Sequence, residues 1–403
     1  MVYAPNMLFS FGEGAVMPLI PVLATQLGAD VTLAALVSGA LVIGELCGNL
    51  PAGWAVARFG ERRTMIVAAA VAIVAVLGLL FSPTLPLFAL SVLLLGFCGA
   101  AFTIARHAFM TTRVDPAFRA RALSLLGGTA RGGIFLGPFV AAALIGVFHH
   151  EHVVPWFYVA CLVAVLLLVA LGPDPEQRTP RFIPLNTQGI PVPIPEPLPR
   201  QRPGVFATMV QHRGVLMRVG MAAAALSAVR SARQALLPLW GVSLHLDAQT
   251  ISVIVGISGA LDFALFYLSG QIMDRFGRLW AVIPALAIMS AGFIALAFTH
   301  DLPQATVWLA VLGAVLGLGN GLSSGILMTI GADLAPQASP AAFLGSWRTL
   351  GDAGGALAPL LISGITAVAS LAAASGAIGA IGVLGAFAFA RWLPRHLPRR
   401  PRP

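Results

Sequence analysis

Twelve stretches of this chain are long and apolar enough to cross a lipid bilayer as helices. A helix rises roughly 1.5 Å per residue, so about 20 mostly apolar residues cover the hydrocarbon core. The sequence offers such windows at about 5–25, 32–56, 64–82, 85–110, 121–147, 153–172, 214–241, 250–272, 279–299, 304–330, 341–367 and 370–393. Because each backbone must satisfy its own hydrogen bonds in lipid, we predict an all-α membrane protein of twelve transmembrane helices.

The composition excludes an ordinary soluble protein. Hydrophobic residues make up 58% of the 403 positions and charged residues 10%, and the mean hydropathy is +0.90, whereas soluble domains usually carry about 25% charged residues. A phosphate-binding loop is not present, and a serine nucleophile in GxSxG form with an accessible histidine partner is not evident. His149, His150, Glu151 and His152 could bind a metal, but they lie in one short outer loop without a matched second ligand set, so a solvated turn is favoured. Cys47, Cys98 and Cys161 lie far apart in apolar stretches. We therefore expect neither an enzyme nor a bound cofactor or metal.

The distribution of arginine predicts the orientation of the helices. All 24 basic residues are arginine, and 19 of them fall in loops or ends on one side of the predicted membrane. These are Arg58, Arg62, Arg63, Arg113, Arg119, Arg121, the arginines from Arg178 to Arg218, Arg275, Arg278 and those from Arg391 to Arg402. Since positive charge collects on the cytoplasmic side, we predict a bacterial inner-membrane protein with both termini in the cytoplasm. The net charge of +9 then reflects topology and contact with lipid headgroups, with no nucleic-acid partner.

A proline-rich segment divides the windows into two sets of six. Ten prolines lie between Pro173 and Pro203, so this segment cannot form a helix. It is predicted to be an extended tether, with a proline-rich docking site as the alternative. The predicted domains are a six-helix bundle at 1–172, a cytoplasmic linker at 173–213, a second six-helix bundle at 214–393 and a basic tail at 394–403.

An internal repeat relates the two sets of windows. The segment GWAVARFGERR at 53–63 matches GQIMDRFGRLW at 270–280 with a shift of 217 positions. The same shift pairs Pro21 with Pro238, Asp30 with Asp247, Gly39 with Gly256, Glu45 with Asp262 and Glu13 with Arg230, and a shift of 221 pairs Gly133 with Gly354 and Pro138 with Pro359. Two such bundles related by a pseudo-twofold axis, with a site between them, are an arrangement that secondary transporters use.

The repeated loop resembles the signature of the major facilitator superfamily, Gly-x-x-x-Asp-Arg-x-Gly followed by basic residues. The second copy carries Gly270, Asp274, Arg275, Gly277 and Arg278. The first copy keeps Gly53, Arg58, Gly60, Arg62 and Arg63. It departs at Ala57, where the Asp belongs, and at Glu61, where a base is expected. In the family this Asp helps to lock one conformation, so the resemblance implies a conformational loop that is complete in the second half alone.

A second motif resembles that of proton-driven exporters in the same superfamily. The fifth window contains GIFLGP, with Gly133, Gly137 and Pro138 in the positions of the exporter motif. Ala141 and Ala142 replace its closing glycine pair, and the arginine that drug antiporters carry early in the fourth helix is missing. The resemblance thus implies a twelve-helix transporter similar to drug:proton antiporters.

Nine charged side chains lie within the predicted helices, where ionisable groups cost several kcal/mol. They are Glu13, Glu45, Arg106, Arg131, Arg230, Arg233, Asp262, Arg348 and Asp352. Glu13 is predicted to take part in proton coupling or binding, because a carboxyl group that moves between burial and an arginine neighbour can load and release a proton. Arg106, Arg230 and Arg233 are assigned to the same cavity, where they suit an anionic group. The alternative is that they form structural ion pairs.

Five of these charges are predicted to form a gate between the bundles. In the superfamily the second helix neighbours the eleventh, and the fifth neighbours the eighth. Charges of opposite sign lie at similar depths on those helices. We expect the pairs Glu45–Arg348 and Arg131–Asp262, with Asp352 competing for Arg348, to close the cytoplasmic side when the protein faces outward. The alternative is that each charge pairs within its own bundle.

These observations favour a secondary active transporter and leave three functions open. The first is proton-coupled export of small, partly apolar molecules by alternating access. The second is a permease for an anionic metabolite, because five intramembrane arginines face four acids. The third is a membrane sensor that transports nothing. A monomer is expected, with protons, a small-molecule substrate and membrane lipids as its partners.

Overall fold

A computed structural model describes residues 3–113, 116–172, 210–336 and 340–396, and in these ranges the chain is helical and contains no strand. Twelve of its helices are long and apolar enough to cross a membrane. They are α1 (Tyr3–Gln26), α2 (Val31–Phe59), α3 (Glu61–Phe81), α4 (Leu85–Arg113), α5 (Pro116–Phe148), α6 (Val153–Leu171), α7 (Arg213–Ser243), α8 (Ala248–Arg275), α9 (Leu279–Leu296), α10 (Ala305–Leu334), α11 (Pro340–Val368) and α12 (Leu371–His396). The predicted fold class is confirmed.

The parts of the chain that lie outside the described residues include most of the predicted linker. The linker, 173–213, is described from residue 210 onward, and the basic tail, 394–403, as far as residue 396. We call the end of the molecule that holds Tyr3 and His396 the inner end, and the opposite end the outer end, after the predicted topology.

Three helices depart locally from the α-helical conformation. α1 contains a 3-10 turn at Met17–Leu19, where Pro18 has no backbone N–H to donate. α7 contains a π-helical turn at Leu216–Gly220. α10 is interrupted between Leu322 and Ile326. The breaks in α1 and α10 lie beside the space between the bundles, where polar backbone is tolerated in a membrane protein.

Matching residues of the repeat begin two helices at the outer end. Asp30 accepts a hydrogen bond of 2.7 Å from the backbone N–H of Leu33 and caps α2. Asp247 caps α8 by accepting from the backbone N–H of Thr250 at 3.0 Å and from its hydroxyl at 2.6 Å. Partial burial acts to raise the pKa of Asp247, but the hydrogen bonds from Thr250 outweigh it, so this pKa lies below its usual value.

Packing inside each bundle repeats with the register that the sequence shifts predict. A methyl group at Gly133 on α5 would lie 2.6 Å from the carbonyl oxygen of Met7 on α1. A methyl group at Gly354 on α11 would lie 2.3 Å from the carbonyl oxygen of Ala224 on α7. Both glycines therefore allow two helix backbones to touch. Because Met7 and Ala224 are related by the shift of 217, and the glycines by 221, the two halves are duplicated in structure as well as in sequence.

The two bundles meet along α2 with α11 and along α5 with α8, as the resemblance implied, and α7 also packs against α1 and α2. Their outer halves are in close contact. The hydroxyl of Ser363 on α11 donates to the carbonyl of Thr32 on α2 at 3.1 Å, and a methyl group at Gly39 would lie 2.6 Å from Cβ of Pro359. The structure is therefore closed at the outer end.

The inner halves of the interface are more open. Methyl groups at Gly127 and Gly128 on α5, or at Gly270 on α8, would meet no atom within 4 Å. Among hydrogen bonds between described residues, the innermost one that joins the bundles runs from Asn49 to Asp352. Within the described residues, the bundles are therefore packed more tightly at the outer end than at the inner end.

Candidate functional site

Two adjoining cavities lie between the bundles and share one wall. The inner cavity, of about 310 Å³, is lined by α2, α4, α7, α10 and α11. The outer cavity, of about 270 Å³, is lined by α1, α5, α7, α8 and α10. Arg230, Gln234 and Asn320 line both cavities. A small molecule at this wall would contact both bundles, as a substrate of an alternating-access transporter must.

Asp262 is the centre of a basic cluster that we define as Arg131, Arg230, Arg233, Asp262 and Asn320. Its carboxylate lies 3.5 Å from the guanidinium of Arg131 on the opposite bundle and 3.2 Å from that of Arg233. The amide nitrogen of Asn320 donates to it at 2.6 Å. The amide oxygen of Asn320 in turn accepts from Nε of Arg230 at 3.0 Å. One carboxylate therefore organises three guanidinium groups.

Further contacts hold the arginines of the cluster in place. Arg233, with only 7% of its surface exposed, donates to the hydroxyl of Ser258 at 2.8 Å. Arg131 donates to the hydroxyl of Ser324 at 2.8 Å, in the break of α10, and its guanidinium stacks 4.6 Å from the ring centre of Phe266. The break of α10 thus carries the hydroxyl group that accepts from Arg131.

The charge of the outer cavity is unbalanced. Its charged lining residues are Arg131, Arg230, Arg233 and Asp262, which sum to a formal charge of +2 (three minus one). Nε of Arg233 is buried, and among the described residues it has no hydrogen-bond partner. An excess of guanidinium in a site shielded from water favours an anionic ligand, because carboxylate and phosphate oxygens match the paired N–H groups of arginine.

Acidic residues line the inner cavity instead. Glu45 and Asp352 lie in its wall, together with Arg348. Asp352 accepts from Asn49 on α2 at 3.4 Å and lies 3.5 Å from Nε of Arg348 one turn earlier on α11. The inner cavity therefore offers carboxylates at one side and Arg230 at the other.

The two predicted gate pairs have different outcomes. Arg131 and Asp262 do form an ion pair between α5 and α8, and they do so in a structure whose outer end is closed. Arg348 pairs with Asp352, and within the described ranges no ion pair joins it to Glu45. Asp352 is the competitor that was expected for Arg348, and a partner four residues away on the same helix is met without ordering a second chain segment. The pair Glu45–Arg348, which was expected to separate when the protein faces inward, stays a prediction.

Glu13 and Arg106 are not among the residues that line these two cavities. The Glu13 carboxylate faces α4, where a methyl group at Gly99, a residue of the inner cavity wall, would lie 3.6 Å from it. Arg106 donates to the amide oxygen of Asn6, a fully buried residue whose amide nitrogen donates to Thr129 at 2.8 Å. Arg106 thus ties α1, α4 and α5 together within the first bundle, and its part in a substrate cavity stays a prediction.

The two copies of the loop motif make different contacts. Gly60 and Gly277 have φ angles of 84° and 97°, which L residues rarely adopt, so both sharp turns require glycine. In the second copy, Arg278 lies 2.8 Å from Asp333 on α10 and 3.8 Å from Asp274. In the first, Arg62 donates to carbonyl groups at the end of α6, at 2.7 to 3.2 Å.

The remaining motif residues are exposed or serve packing. Arg58, Arg63 and Arg275 are exposed at the inner end, and methyl groups at Gly53 and Gly270 would meet open space. In the motif of α5, a methyl group at Gly137 would lie 2.4 Å from the backbone nitrogen of Ala15, and Pro138 lines the outer cavity. Gly133 and Gly137 therefore hold α5 against α1.

The sequence reasoning missed the uncharged polar residues of the site. Asn320 lies at the centre of the basic cluster, Gln234 lines both cavities, and Asn49 and Ser258 hold charged groups. The sequence feature that could have revealed them is an amide or hydroxyl side chain inside an apolar window.

Comparisons with known proteins place the chain among transporters. The sequence profile of the Major Facilitator Superfamily matches residues 6–359 and 222–403. No curated protein sequence matches the chain. Similar solved structures include an auto-inhibited peptide transporter of the POT family (TM-score 0.75, 16% identity, covering 100% of this chain and 98% of that one). Another is the xylose transporter XylE from E. coli in an inward-open conformation (TM-score 0.71, 13% identity, coverage 98% and 95%). At these identities the likeness shows the fold alone.

Proposed function

The chain belongs to the Major Facilitator Superfamily and is a transporter, and we propose that it carries a small organic anion across the membrane by proton-coupled alternating access. The observation that carries this proposal is the formal charge of +2 among the residues that line the outer cavity, to which both bundles contribute. This charge favours a permease for an anionic metabolite over proton-coupled export of small, partly apolar molecules.

The chemistry of the cavity narrows the substrate further. Phe135 and Phe263 stack across the bundles with ring centres 5.4 Å apart and line the outer cavity beside the arginines. An acid group would bind Arg230, and an apolar body would contact the two rings. A small, partly apolar organic acid satisfies both surfaces. The aromatic pair is also the observation that supports the alternative function, proton-coupled export of uncharged or cationic apolar molecules.

The contacts between the bundles support a role for the gate residues, but in the inward-facing state and not in the outward-facing state that was expected from the sequence. Arg131–Asp262 bridges the bundles while the outer end is closed, so we propose that this pair stabilises the inward-facing state. Substrate anions compete with Asp262 for Arg131 and Arg233, and this competition links binding to movement of the bundles. Glu45, Arg348 and Asp352 are proposed to act at the inner side of the same interface, and Glu13 to take part in proton coupling or binding.

The setting of the protein is part of the proposal. Nineteen arginines on one side of twelve helices support a bacterial inner membrane, with both termini in the cytoplasm and the exposed Arg58 and Arg63 near lipid headgroups. A monomer is proposed, because the two bundles of one chain complete both cavities.

The deciding experiment is flux into proteoliposomes with an imposed pH gradient. Radiolabelled aromatic and aliphatic monocarboxylates are compared with a cationic dye, in wild type and in Arg230→Gln. We expect carboxylate flux that depends on the gradient and falls at least 10-fold in Arg230→Gln, corresponding to about 1.4 kcal/mol or more of lost binding. Dye transport without carboxylate transport would support the exporter alternative. Absence of any gradient-driven flux would support a sensor.

A further inference from the structure

The duplication places an acid in the second half where the first half has an arginine. Glu45 on α2 corresponds to Asp262 on α8 by the shift of 217, and Asp352 on α11 corresponds to Arg131 on α5 by the shift of 221. Gly133 and Gly354 make equivalent helix contacts, and they lie two residues after Arg131 and Asp352. Their packing therefore supports the correspondence of Arg131 with Asp352. The ion pair Arg131–Asp262 therefore has a counterpart made of two carboxylates.

The contacts of Asp352 show that the two acids face the same space. Asn49 lies one turn after Glu45 on α2 and donates to Oδ2 of Asp352 at 3.4 Å. Glu45 and Asp352 both line the inner cavity. Arg348 also contacts Oδ2, at 3.5 Å, and lines the same cavity. The two carboxylates and this one arginine thus lie around the same space.

The other charged groups near this pair are mostly engaged elsewhere. Glu13 approaches from α1 and adds a further negative charge. Arg106 on α4 donates to Asn6 and lies close to Glu13. Nδ1 of His107 on α4 donates to the carbonyl of Thr103 at 2.8 Å. Arg230, across the cavity on α7, donates to the neutral amide of Asn320 and belongs to the basic cluster around Asp262. Among the described residues of the inner cavity, Arg348 is thus the cation that contacts a carboxylate of the pair.

We propose that Glu45 and Asp352 bind one proton between them, and that this is the coupling-proton site of the transporter. The assignment as the coupling-proton site rests on the proposed function, whereas the binding of one proton by the two carboxylates does not. A proton from water in the inner cavity binds one carboxylate, whose new O–H donates to the other carboxylate. Binding removes the repulsion of two like charges, so the pair titrates as a unit. Release returns the proton to water, and no other bond changes.

The test is infrared difference spectroscopy of the full chain in lipid vesicles during a pH titration, with no substrate present. Wild type should show the C=O stretch of a protonated carboxyl group, and this band should disappear as the pH rises. The band should be lost at neutral pH in Glu45→Gln and in Asp352→Asn, because the remaining carboxylate then has Arg348 to itself. Asp352→Arg should also lose it, because this change recreates the ion pair of the other half. Circular dichroism checks that each variant is folded.

Asp247→Asn is the matched control, since it removes an acid at the outer end of α8, where an asparagine can still cap the helix, and leaves the pair intact. It should keep the band. A wild type without the band, a band that survives both single changes of the pair, or a band that is lost in Asp247→Asn would overturn the proposal. Because the measurement needs no substrate, its outcome is separate from that of the flux experiment: carboxylate flux can fail while the band behaves as expected, and the reverse.

Discussion

Asn320 donates a hydrogen bond of 2.6 Å to Asp262, which is the shortest link in the basic cluster. Asn320 is 4% exposed and also accepts from Arg230, so its amide joins a guanidinium to a carboxylate that the helices hold apart. An uncharged residue therefore links Asp262 to Arg230 in the middle of the site.

The first prediction concerns this amide. Asn320→Ala leaves one donor and one acceptor of the cluster without their partner, and a buried group left unsatisfied costs about 1–3 kcal/mol. We expect thermal unfolding in detergent at a clearly lower temperature than in wild type. Asn49→Ala is the control, because its hydrogen bond is 3.4 Å long and only partly buried; an equal loss in both variants would contradict the special role of Asn320.

The second prediction concerns the ion pair between the bundles. Asp262→Asn leaves three guanidinium groups with no carboxylate, whereas Arg131→Met leaves Asp262 with Arg233 and Asn320. We expect the first change to cost about 3 kcal/mol or more and the second less. Combining the two should cost less than the sum, as a double-mutant cycle of unfolding free energies can measure. Strict additivity would show that the 3.5 Å contact contributes nothing.

The third prediction concerns the closed outer end. Gly39 lies against Pro359, where a methyl group would come within 2.6 Å of Cβ, so Gly39→Val must push α2 and α11 apart. We expect spin-label distances across the outer end to lengthen and those across the inner end to shorten. Gly127→Val is the control, because a side chain there meets open space. Unchanged distances in Gly39→Val would mean that the bundles do not move as rigid bodies.

The fourth prediction concerns the cap of α8. Removal of the side chain in Asp247→Ala should cost about 1 kcal/mol, as loss of an N-cap usually does. Because the folded pKa of Asp247 is lowered, its contribution is complete above the usual value of 3.8 and disappears as the pH falls through the lower folded value. Unfolding temperatures from pH 7 downward should therefore converge for wild type and variant at acid pH. Asp30→Ala tests the matching cap of α2, and curves that stay parallel would contradict the assignment.

Much of the fold could be predicted because lipid imposes strong rules on sequence. The twelve apolar windows, the division into six and six and the repeat follow from length and pattern, and depth along α5 and α8 led to Arg131–Asp262. Depth does not fix the direction in which a side chain points. Arg348 therefore turned to Asp352 on its own helix, and Arg106 turned to Asn6 inside its bundle. Asn320 carries no charge, so the search for intramembrane charges passed over it.

The matching positions Glu13 and Arg230, on α1 and α7, have a consequence for the history of the chain. A dimer of two identical six-helix subunits would carry the same charge at both positions, and like charges would then face each other across the twofold axis. A chain in which the two halves are fused can place a carboxylate at one position and a guanidinium at the other, as this one does. Fusion of the halves thus permits a difference in charge across the axis that no symmetric homodimer can have.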